Sequence, residues 1–503
     1  MKGKSSFSKL FLLSSPVAIA AAICNGLLGS SAAADKTSNH EWEIPNKAWM
    51  KSLDEQVPVV FVNRAQQAAE WDKLTKFWSE GTQTVTDPVT GKKSENKVVK
   101  VKVPLGLTQN PPVPAENPIT VAKWNLGKKI YFDPILSSDA TVSCASCHDP
   151  SKGYTDQSQF STGIKGNIGG MNAPTVLNSG YSLVQFWDGR AASLEAQSQG
   201  PPQNPLEMFD GKGDAWEKVV ERMRAKPEYV AAFKEVFGTM PTRDGAAKAM
   251  AAYERTVLTG NSIHDRAELA MRKRVAEEET GKLEVQAKDY EKVIQEAIAA
   301  KDSVALDAIG VKDKTQVSEV ARAIHNGRAL FNGKARCNGC HVGDNYSDSQ
   351  FHNLGVGAKN GKLAEGVLGR FGSLPSGHKD ATLVGAFKTP PLRQLLATAP
   401  YMHDGSEKTL EQVVDFYDRG GNVNPHLDVR MRDFEAEKAK GPNAVVPLRL
   451  GLNASEKKDL VLFMKALNGE PVDPVVSDPT KFSQAYGNSI PFSKSVGLIP
   501  FGK

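Results

Sequence analysis

The chain has 503 residues, of which 40% are hydrophobic and 24% are charged, and its formal net charge is +5 at pH 7. This length exceeds what one compact hydrophobic core usually supports, so it predicts two or three domains. The composition is that of a soluble globular protein. The small net charge excludes the strongly basic surface that nucleic-acid binding requires, and no nucleic-acid partner is predicted.

The first 34 residues have the pattern of a secretory signal peptide. Three lysines precede an apolar run from Leu10 to Ile23, and small residues follow up to Ala34. The run is short and contains Pro16, so it does not predict a membrane span. Ile23 also makes Cys24 a poor lipoprotein cleavage site. We therefore predict cleavage after Ala34 and export of a soluble, nearly neutral protein to the periplasm.

Two copies of a Cys-x-x-Cys-His motif dominate the remaining sequence, at 144–148 and 337–341. This spacing attaches a c-type haem, because each sulfur bonds one vinyl group and the histidine ligates the iron. A zinc site would need four ligands grouped in pairs, and a dithiol redox site would not need the histidine twice. The motifs predict two covalent haems, no disulfide, and these cofactor-binding residues: Cys144, Cys147, His148, Cys337, Cys340 and His341.

A repeated helical pattern precedes each motif. A helix is predicted from about Ile119 to Phe132, where Asp133 and Pro134 end it. A similar stretch, Asn326–Phe331, lies ahead of the second motif. Helix, turn and haem attachment thus occur twice, which indicates an internal duplication. The predicted fold is mainly α, with two small cytochrome c-like helical haem domains.

Segments outside the two haem domains complete the predicted organisation. Residues 267–315 are rich in Ala, Glu and Lys at helical spacing, which predicts a solvated helical hairpin. A short helix is expected between Ala65 and Phe77, and a terminal one from about Ser455. The predicted units are a signal peptide (1–34), an N-terminal extension (35–116), the N-terminal haem domain (117–266), a helical insert (267–315), the C-terminal haem domain (316–470) and a turn-rich tail (471–503).

Ordered sequence blocks between about Ile119 and Gly469, apart from the insert, resemble the bacterial di-haem cytochrome c peroxidase and MauG superfamily. The blocks of the first half are Leu126–Lys129, Phe132–Pro134, Ser143–Pro150, Asn172–Thr175, Phe186–Arg190 and Asn204–Met208. Those of the second half are Phe351–Gly355, Phe387–Pro390 and Thr398–Gly405.

The resemblance implies roles for residues outside the two motifs. Gln197 and Glu207 would line the distal face of the N-terminal haem, with Pro201 close by. Glu207 would move a proton between the two oxygens of hydrogen peroxide, and Gln197 would orient the peroxide. Trp187 would relay electrons between the haems. A calcium ion would be held between the domains, mostly by carbonyl oxygens, at Asn172, Thr398 and Pro400.

Two departures from the classical peroxidase pattern indicate a MauG-like subtype. The segment that often carries a distal histidine reads Ser161–Gly166 here, and Ile164 cannot ligate iron. The N-terminal haem is therefore expected to be open. At the C-terminal haem, Tyr417 stands where classical enzymes have a methionine ligand. We favour Tyr417 as the ligand, and Met402 is the alternative.

Two functions of different classes fit these residues. One is a peroxidase that takes electrons from a small cytochrome c or a cupredoxin, with the C-terminal haem as the store of electrons and oxidising equivalents. The other is a MauG-like enzyme that oxidises side chains of a partner protein. A pure electron-transfer protein would not need Gln197 and Glu207 over an open iron. The sequence gives no indication of oligomeric state.

Overall fold

The computed structural model describes residues 44–51, 56–278 and 281–487, and the predicted signal peptide lies outside these ranges. The strands are β1 (Val59–Val62), β2 (Trp78–Thr86), β3 (Lys93–Lys102), β4 (Phe351–His352) and β5 (Phe387–Lys388). The α-helices are α1 (Ala68–Lys73), α2 (Val121–Phe132), α3 (Cys144–Cys147), α4 (Leu194–Gln197), α5 (Ala215–Arg224), α6 (Pro227–Phe237), α7 (Arg243–Glu254), α8 (Ile263–Glu278), α9 (Ala287–Ala299), α10 (Ser303–Ile309), α11 (Val317–Asn332), α12 (Arg370–Ser373), α13 (Leu410–Asp418), α14 (Phe434–Lys440), α15 (Ala454–Lys465) and α16 (Pro474–Ser477).

The fold is mainly helical, and none of the helices in the described ranges is long and apolar enough to cross a membrane. The helix predicted ahead of the first motif is α2. It begins after Thr120, whose hydroxyl accepts a hydrogen bond from the amide of Lys123 at 3.3 Å. It ends at Asp133, whose carboxylate caps the next short turn by accepting the amide of Ile135.

The same helix crossing occurs once in each half of the chain. In the first half, α2 packs on α7 at Gly127, where a Cβ atom would lie 1.8 Å from the carbonyl oxygen of Ala249. In the second half, α11 packs on α15 at Gly327, where a Cβ would lie 2.0 Å from the carbonyl oxygen of Asp459. Only glycine permits backbones to approach this closely. The sequence recurrence therefore corresponds to two equivalent helix pairs.

The N-terminal extension contains a sheet that the sequence analysis did not predict. The strand order is β1–β3–β2, with β1 parallel and β2 antiparallel to β3. The predicted short helix is present as α1, but a strand follows it directly. Val99, Val101 and Val103 alternate with polar residues and are all buried, the pattern of a strand with one apolar face. This face packs into the core of the first half together with residues of α2 and α7.

The helical insert is not solvated on all sides, so that part of the prediction is wrong. One face of α8 and α9 belongs to the apolar core of the second half, where α9 packs against both α8 and α11. Alanine and branched side chains at helical spacing form this stripe, which the high Glu and Lys content of the segment obscured. The buried residues of the stripe are Ala267, Ala270, Met271, Tyr290, Val293, Ile294 and Ala297.

The described part of the tail lies across the first half of the chain. The fully buried Lys128 of α2 donates hydrogen bonds of 2.6–2.7 Å to the carbonyls of Val475, Asp478 and Lys481. Asn125, also on α2, exchanges two hydrogen bonds with the backbone of Ser483. The tail therefore stabilises the N-terminal half although it follows the C-terminal half in sequence.

Candidate functional site

The two predicted proximal histidines are held in the same way. Nδ1 of His148 lies 3.4 Å from the carbonyl oxygen of Tyr154, and Nδ1 of His341 lies 2.9 Å from that of Tyr346. Burial lowers the pKa of both imidazoles, so each ring is neutral near pH 7. With Nδ1–H donating to a carbonyl, the lone pair of Nε2 is available for a metal.

Backbone conformation aims these carbonyls at the rings. Tyr154 and Tyr346 both adopt left-handed conformations, with φ of 56° and 53°. A second carbonyl acts on each ring, from Pro174 in the first half and Pro390 in the second. Both prolines lie in sequence blocks that carried the family resemblance. The duplication therefore extends from the helices to the hydrogen bonds around each histidine.

The four cysteines of the motifs are free thiols. Burial raises the pKa of Cys144, and it raises the pKa of Cys147 to about 11 and that of Cys337 to about 12. Cys144 packs against the cores of the first half and Cys337 against that of the second. The two pairs therefore do not form one four-thiolate zinc site, and uncharged thioether links suit such surroundings.

The second motif opens on a cavity of about 630 Å³ between the two halves. Cys337, Cys340 and His341 line it together with mostly apolar side chains, a donor set and shape that fit a flat macrocycle attached at one edge. The apolar lining residues include Leu354, Val356, Leu410, Val414, Leu452 and Leu460.

Both candidate sixth ligands of the C-terminal haem line this same cavity. Tyr417 projects from α13, and the thiols of Cys337 and Cys340 act on its phenol. Burial is the main cause that raises the pKa of Tyr417 well above its usual range. Met402 has a left-handed backbone, with φ of 70°. The structure brings the two residues to one cavity with His341.

Trp187 lies where the two halves meet and also lines the cavity. Its Nε1 donates to the carbonyl oxygen of Asn172 at 2.9 Å, and its own carbonyl accepts the amide of Lys388 at 2.8 Å. Its ring centroid lies 6.5 Å from that of His403. One partner of Trp187 comes from the first half and two from the second, so the indole is fixed across the boundary.

The residues predicted to hold calcium all line this cavity: Asn172, Thr398 and Pro400. The side-chain amide of Asn172 donates to the carbonyl of Ser158 at 2.9 Å. Within the described ranges, no backbone amide donates to the carbonyls of Thr398 or Pro400. Neutral oxygen atoms are thus available, and oxygen ligands fit a hard cation such as calcium. Calcium at this place stays a prediction.

Glu207 and Ile164 come from two loops that pack tightly in the first half. The amide of Ile164 donates to the carbonyl oxygen of Glu207 at 2.9 Å. At the neighbouring Gly163 a Cβ would lie 2.1 Å from the carbonyl oxygen of Leu206, so this close approach requires glycine. The residue at position 164 is an isoleucine buried in an apolar cluster, and not a histidine.

The carboxyl group of Glu207 has an environment suited to proton transfer. Burial raises its pKa, while a hydrogen bond of 2.5 Å from the amide of Asn204 and the charge of Arg190 oppose this rise. The carboxylate also acts on the thiols of Cys144 and Cys147, which places it on the side of the first attachment motif.

Gln197 and Pro201 lie on the chain segment that leads to Glu207. Gln197 is the last residue of α4, and its carbonyl accepts the amide of Gly200, one residue before Pro201. In the described part of the chain, no hydrogen bond joins the side chains of Gln197 and Glu207. The structure therefore brings Glu207 into contact with the Ile164 loop.

A charged cluster beside the second motif was missed by the sequence analysis. Nδ1 of His352 lies 2.7 Å from a carboxylate oxygen of Asp428, and its Nε2 lies 3.0 Å from one of Asp348. Burial alone would lower the pKa of His352, but these bonds, with Cys340 close by, raise it to about 10. The signal available in the sequence was the block Phe351–Gly355, in which His352 stands.

Comparison with known proteins agrees with this geometry. A family model described as di-haem cytochrome c peroxidase matches residues 121–274. The cytochrome-c peroxidase IdrP1 of Denitromonas iodatirespirans is 34% identical over 407 residues, covering 76% of this chain and 90% of that protein. The methylamine utilization protein MauG of Methylorubrum extorquens is 32% identical over 385 residues, covering 76% of this chain and 88% of that protein.

One solved structure extends the likeness to three dimensions. The crystal structure of a MauG-like protein associated with microbial copper homeostasis aligns with a TM-score of 0.53 and 27% identity. The alignment covers 74% of this chain and 96% of that one. The alignment therefore spans nearly the whole of that structure.

Proposed function

Because the chain belongs to the di-haem cytochrome c peroxidase family, whose members are oxidoreductases that act on peroxide, we propose that it reduces hydrogen peroxide at its N-terminal half with electrons from an external donor. The observation that carries this proposal is the half-buried carboxyl of Glu207, with its raised pKa, on the side of the first attachment motif. A carboxyl whose pKa is raised toward the working pH is suited to accept and return a proton.

Two sets of residues would hold the cofactors. Haem, when bound, supplies the iron redox chemistry that cleaves the oxygen–oxygen bond of peroxide. The first haem would be held by Cys144, Cys147 and His148. The second would be held by Cys337, Cys340, His341 and Tyr417, with Met402 as the alternative to Tyr417.

The side chains around the first site would have separate roles in the reaction with peroxide. Glu207 would take a proton from one peroxide oxygen and return it to the other, which leaves as water. Ile164 would keep the distal position free of a ligand and exclude water. Gln197 would orient the peroxide. Trp187, fixed between the halves by Asn172 and Lys388, would conduct electrons from the second site to the first.

The donor is proposed to be a small cytochrome c or a cupredoxin in the periplasm, to which the signal-like residues 1–34 would direct the chain. The test is a stopped-flow mixture of the protein and peroxide, followed by steady-state oxidation of a reduced cytochrome c. Glu207→Gln should slow the reaction with peroxide by about a hundred- to ten-thousand-fold, the usual contribution of a general acid or base. Its resting haem spectrum should stay that of the wild type.

A matched control is Glu221→Gln, which changes an exposed carboxyl on α5. It should react with peroxide at the wild-type rate. A Glu207→Gln protein that also keeps this rate would contradict the proposed proton transfer.

The second candidate is MauG-like oxidation of side chains on a partner protein, favoured by Tyr417 at the second cavity. The two candidates predict different products. A peroxidase consumes a stoichiometric amount of reduced cytochrome c per peroxide. A protein-modifying enzyme shows little such turnover, and mass spectrometry finds oxidised residues on a partner captured with it.

A further inference from the structure

The insert brings a tyrosine and a histidine together behind the second cavity. The hydroxyl of Tyr290, on α9, lies 2.7 Å from Nδ1 of His264, on α8. Tyr290 is completely buried, and only 3% of His264 is exposed. The haem sites do not explain this pair, because both residues belong to the insert or its edge and neither lines the cavity.

The surroundings fix which atom carries the proton. Burial lowers the pKa of His264 to about 3 although Asp265 opposes this shift, so the ring is neutral. Nε2 faces a carboxylate oxygen of Glu268 at 3.7 Å, which favours the proton on Nε2. Nδ1 then accepts the hydrogen bond from the phenol. Burial raises the pKa of Tyr290 well above 10, so the phenol keeps its proton at rest.

A short series of aromatic rings connects this pair to the second cavity. Phe331 lines the cavity. The ring centroids of Phe331 and Phe463 are 5.2 Å apart, and those of Phe463 and His264 are 5.1 Å apart. Tyr346, whose carbonyl holds His341, lies 6.3 Å from Phe331 by the same measure. These are ordinary distances of packed aromatic pairs, and electron tunnelling is efficient across such gaps.

The acceptor distinguishes Tyr290 from other tyrosines of the chain. A phenol that loses an electron becomes a strong acid, so its oxidation at moderate potential requires a base that takes the proton. The hydroxyls of Tyr131, Tyr253 and Tyr401 donate to backbone carbonyls, which are very weak bases. Tyr229 donates to a carboxylate oxygen of Asp133 at 2.9 Å, but it belongs to the apolar core of the first half. Among the tyrosines that the structure describes, Tyr290 is the one whose hydroxyl meets an imidazole nitrogen.

We propose that Tyr290 is a redox-active residue that supplies one electron to the peroxide-oxidised enzyme. Its phenol loses one electron, which passes through Phe463 and Phe331 to the second haem site, and its proton moves to Nδ1 of His264. The products are a neutral tyrosyl radical and a histidinium. The enzyme supplies two electrons when one hydrogen peroxide, with two protons, becomes two waters, and it is left with two oxidising equivalents. The electron from Tyr290 fills one of them.

The two phenylalanines would act only as bridges, because an unsubstituted benzene ring is much harder to oxidise than a phenol. The site would hold an oxidising equivalent inside the insert when the external donor is absent. A reduced donor that reaches the second haem would return Tyr290 to the phenol, with the proton moving back from His264.

The experiment is electron paramagnetic resonance of the holoprotein frozen after mixing with one equivalent of peroxide and no donor. We expect an organic radical near g = 2 whose hyperfine pattern narrows when the protein is grown with ring-deuterated tyrosine. Tyr290→Phe should remove at least nine-tenths of this signal. His264→Gln, which keeps a polar side chain but removes the base, should lower its yield at least fivefold.

Tyr253→Phe is the matched control, since it removes a fully buried hydroxyl that donates to a carbonyl. It should keep the signal. The resting haem spectra and thermal unfolding of all three variants are compared with those of the wild type, so that a folding defect is recognised. In the wild type grown with ring-deuterated tyrosine, a narrower hyperfine pattern identifies a tyrosyl radical without any substitution in the chain.

Persistence of the radical in Tyr290→Phe, or a signal insensitive to tyrosine deuteration, would overturn the proposal. The haem absorption of each frozen sample reports separately whether peroxide has reacted. If peroxide does not react, the proposed function fails, and the one-electron oxidant hexachloroiridate(IV) replaces it as the oxidant. Absence of a tyrosyl radical with an oxidised haem spectrum contradicts the role of Tyr290 under either oxidant.

Discussion

The two haem-attachment motifs share their local geometry but differ in their surroundings. In the first, Ala145 is completely buried and Val142 and Ser143 are nearly so. In the second, both residues between the cysteines, Asn338 and Gly339, are exposed to solvent, whereas the cysteines of both motifs are partly covered. Equivalent helix pairs and equivalent histidine hydrogen bonds therefore support one more enclosed motif and one that faces solvent more.

This difference suits two different tasks. An enclosed site lets a carboxyl such as Glu207 act in a low-dielectric environment, where its pKa shifts and proton transfer is directed. A site at the surface lets a donor protein approach closely, which electron exchange requires. The two halves thus share their helix pairs and histidine hydrogen bonds, and the segments packed around these determine which half excludes solvent.

The largest expected effect comes from removing each attachment motif in turn. Cys144→Ser with Cys147→Ser should reduce the covalent haem content from two per chain to one and abolish the reaction with peroxide. Cys337→Ser with Cys340→Ser should also leave one haem but retain peroxide binding at the other half. A pyridine haemochrome assay normalised to protein measures the content. Equal peroxide reactivity of the two double variants would contradict the division of tasks.

The second prediction concerns the ligand of the solvent-facing half. Methionine ligation raises the potential of a haem, whereas a phenolate oxygen favours the oxidised iron. With Tyr417 bound, the fully ferric enzyme should react with peroxide without prior reduction. Tyr417→Met should raise the potential and create a need for pre-reduction, and Met402→Leu should change neither.

The measurement is redox titration together with low-temperature electron paramagnetic resonance of both variants. If Met402→Leu is the change that alters the low-spin signal, Met402 is the ligand and the enzyme behaves as a classical peroxidase.

A smaller effect is expected from the charged cluster of the second half. His352→Gln removes the buried cation that bonds both Asp348 and Asp428, which should lower the free energy of unfolding by about 3 kcal/mol near pH 6. The pKa of His352 is raised in the fold to about 10, above its unfolded value of about 6.5. The stabilisation is thus complete below about pH 6.5 and is lost as the pH rises toward 10.

Urea unfolding of the holoprotein at several pH values measures this difference. His378→Gln, at an exposed histidine, should unfold like the wild type throughout. If the free energies of unfolding of His352→Gln and the wild type differ more as the pH rises, the predicted direction of the pH dependence is wrong.

The smallest expected effect concerns the tail that closes the first half. Lys128→Met removes the side-chain donor to three partly buried carbonyls, and we expect the free energy of unfolding to fall by about 1–3 kcal/mol. Limited proteolysis should then cleave the tail beyond residue 470 at least several-fold faster. Lys212→Met, at an exposed lysine, serves as the control. Unchanged tail cleavage in Lys128→Met would mean that other contacts hold the tail.

Local spacing explains how much of the site was predictable. A Cys-x-x-Cys-His motif carries its covalent geometry within five residues, and the helical stretch ahead of each motif recurs in both halves. The crossings at Gly127 and Gly327 were not predicted, because their partner helices lie far away in sequence. The sheet of the extension was missed because its strands alternate apolar and polar residues only in part, and β2 is exposed along most of its length. The apolar stripe of α8 and α9 was missed among many charges.

The sequence by itself indicated the two attachment motifs, the histidine that ends each of them and the helix ahead of each, because these depend on residues a few positions apart. Only the tertiary structure decided which residues from distant segments meet. Ile164 and Glu207, Tyr417 and Met402, and Tyr290 and His264 are separated by 15 to 43 positions, and the packing of loops and helices brings each pair together. Long-range packing depends on the whole core, so no local pattern reveals it.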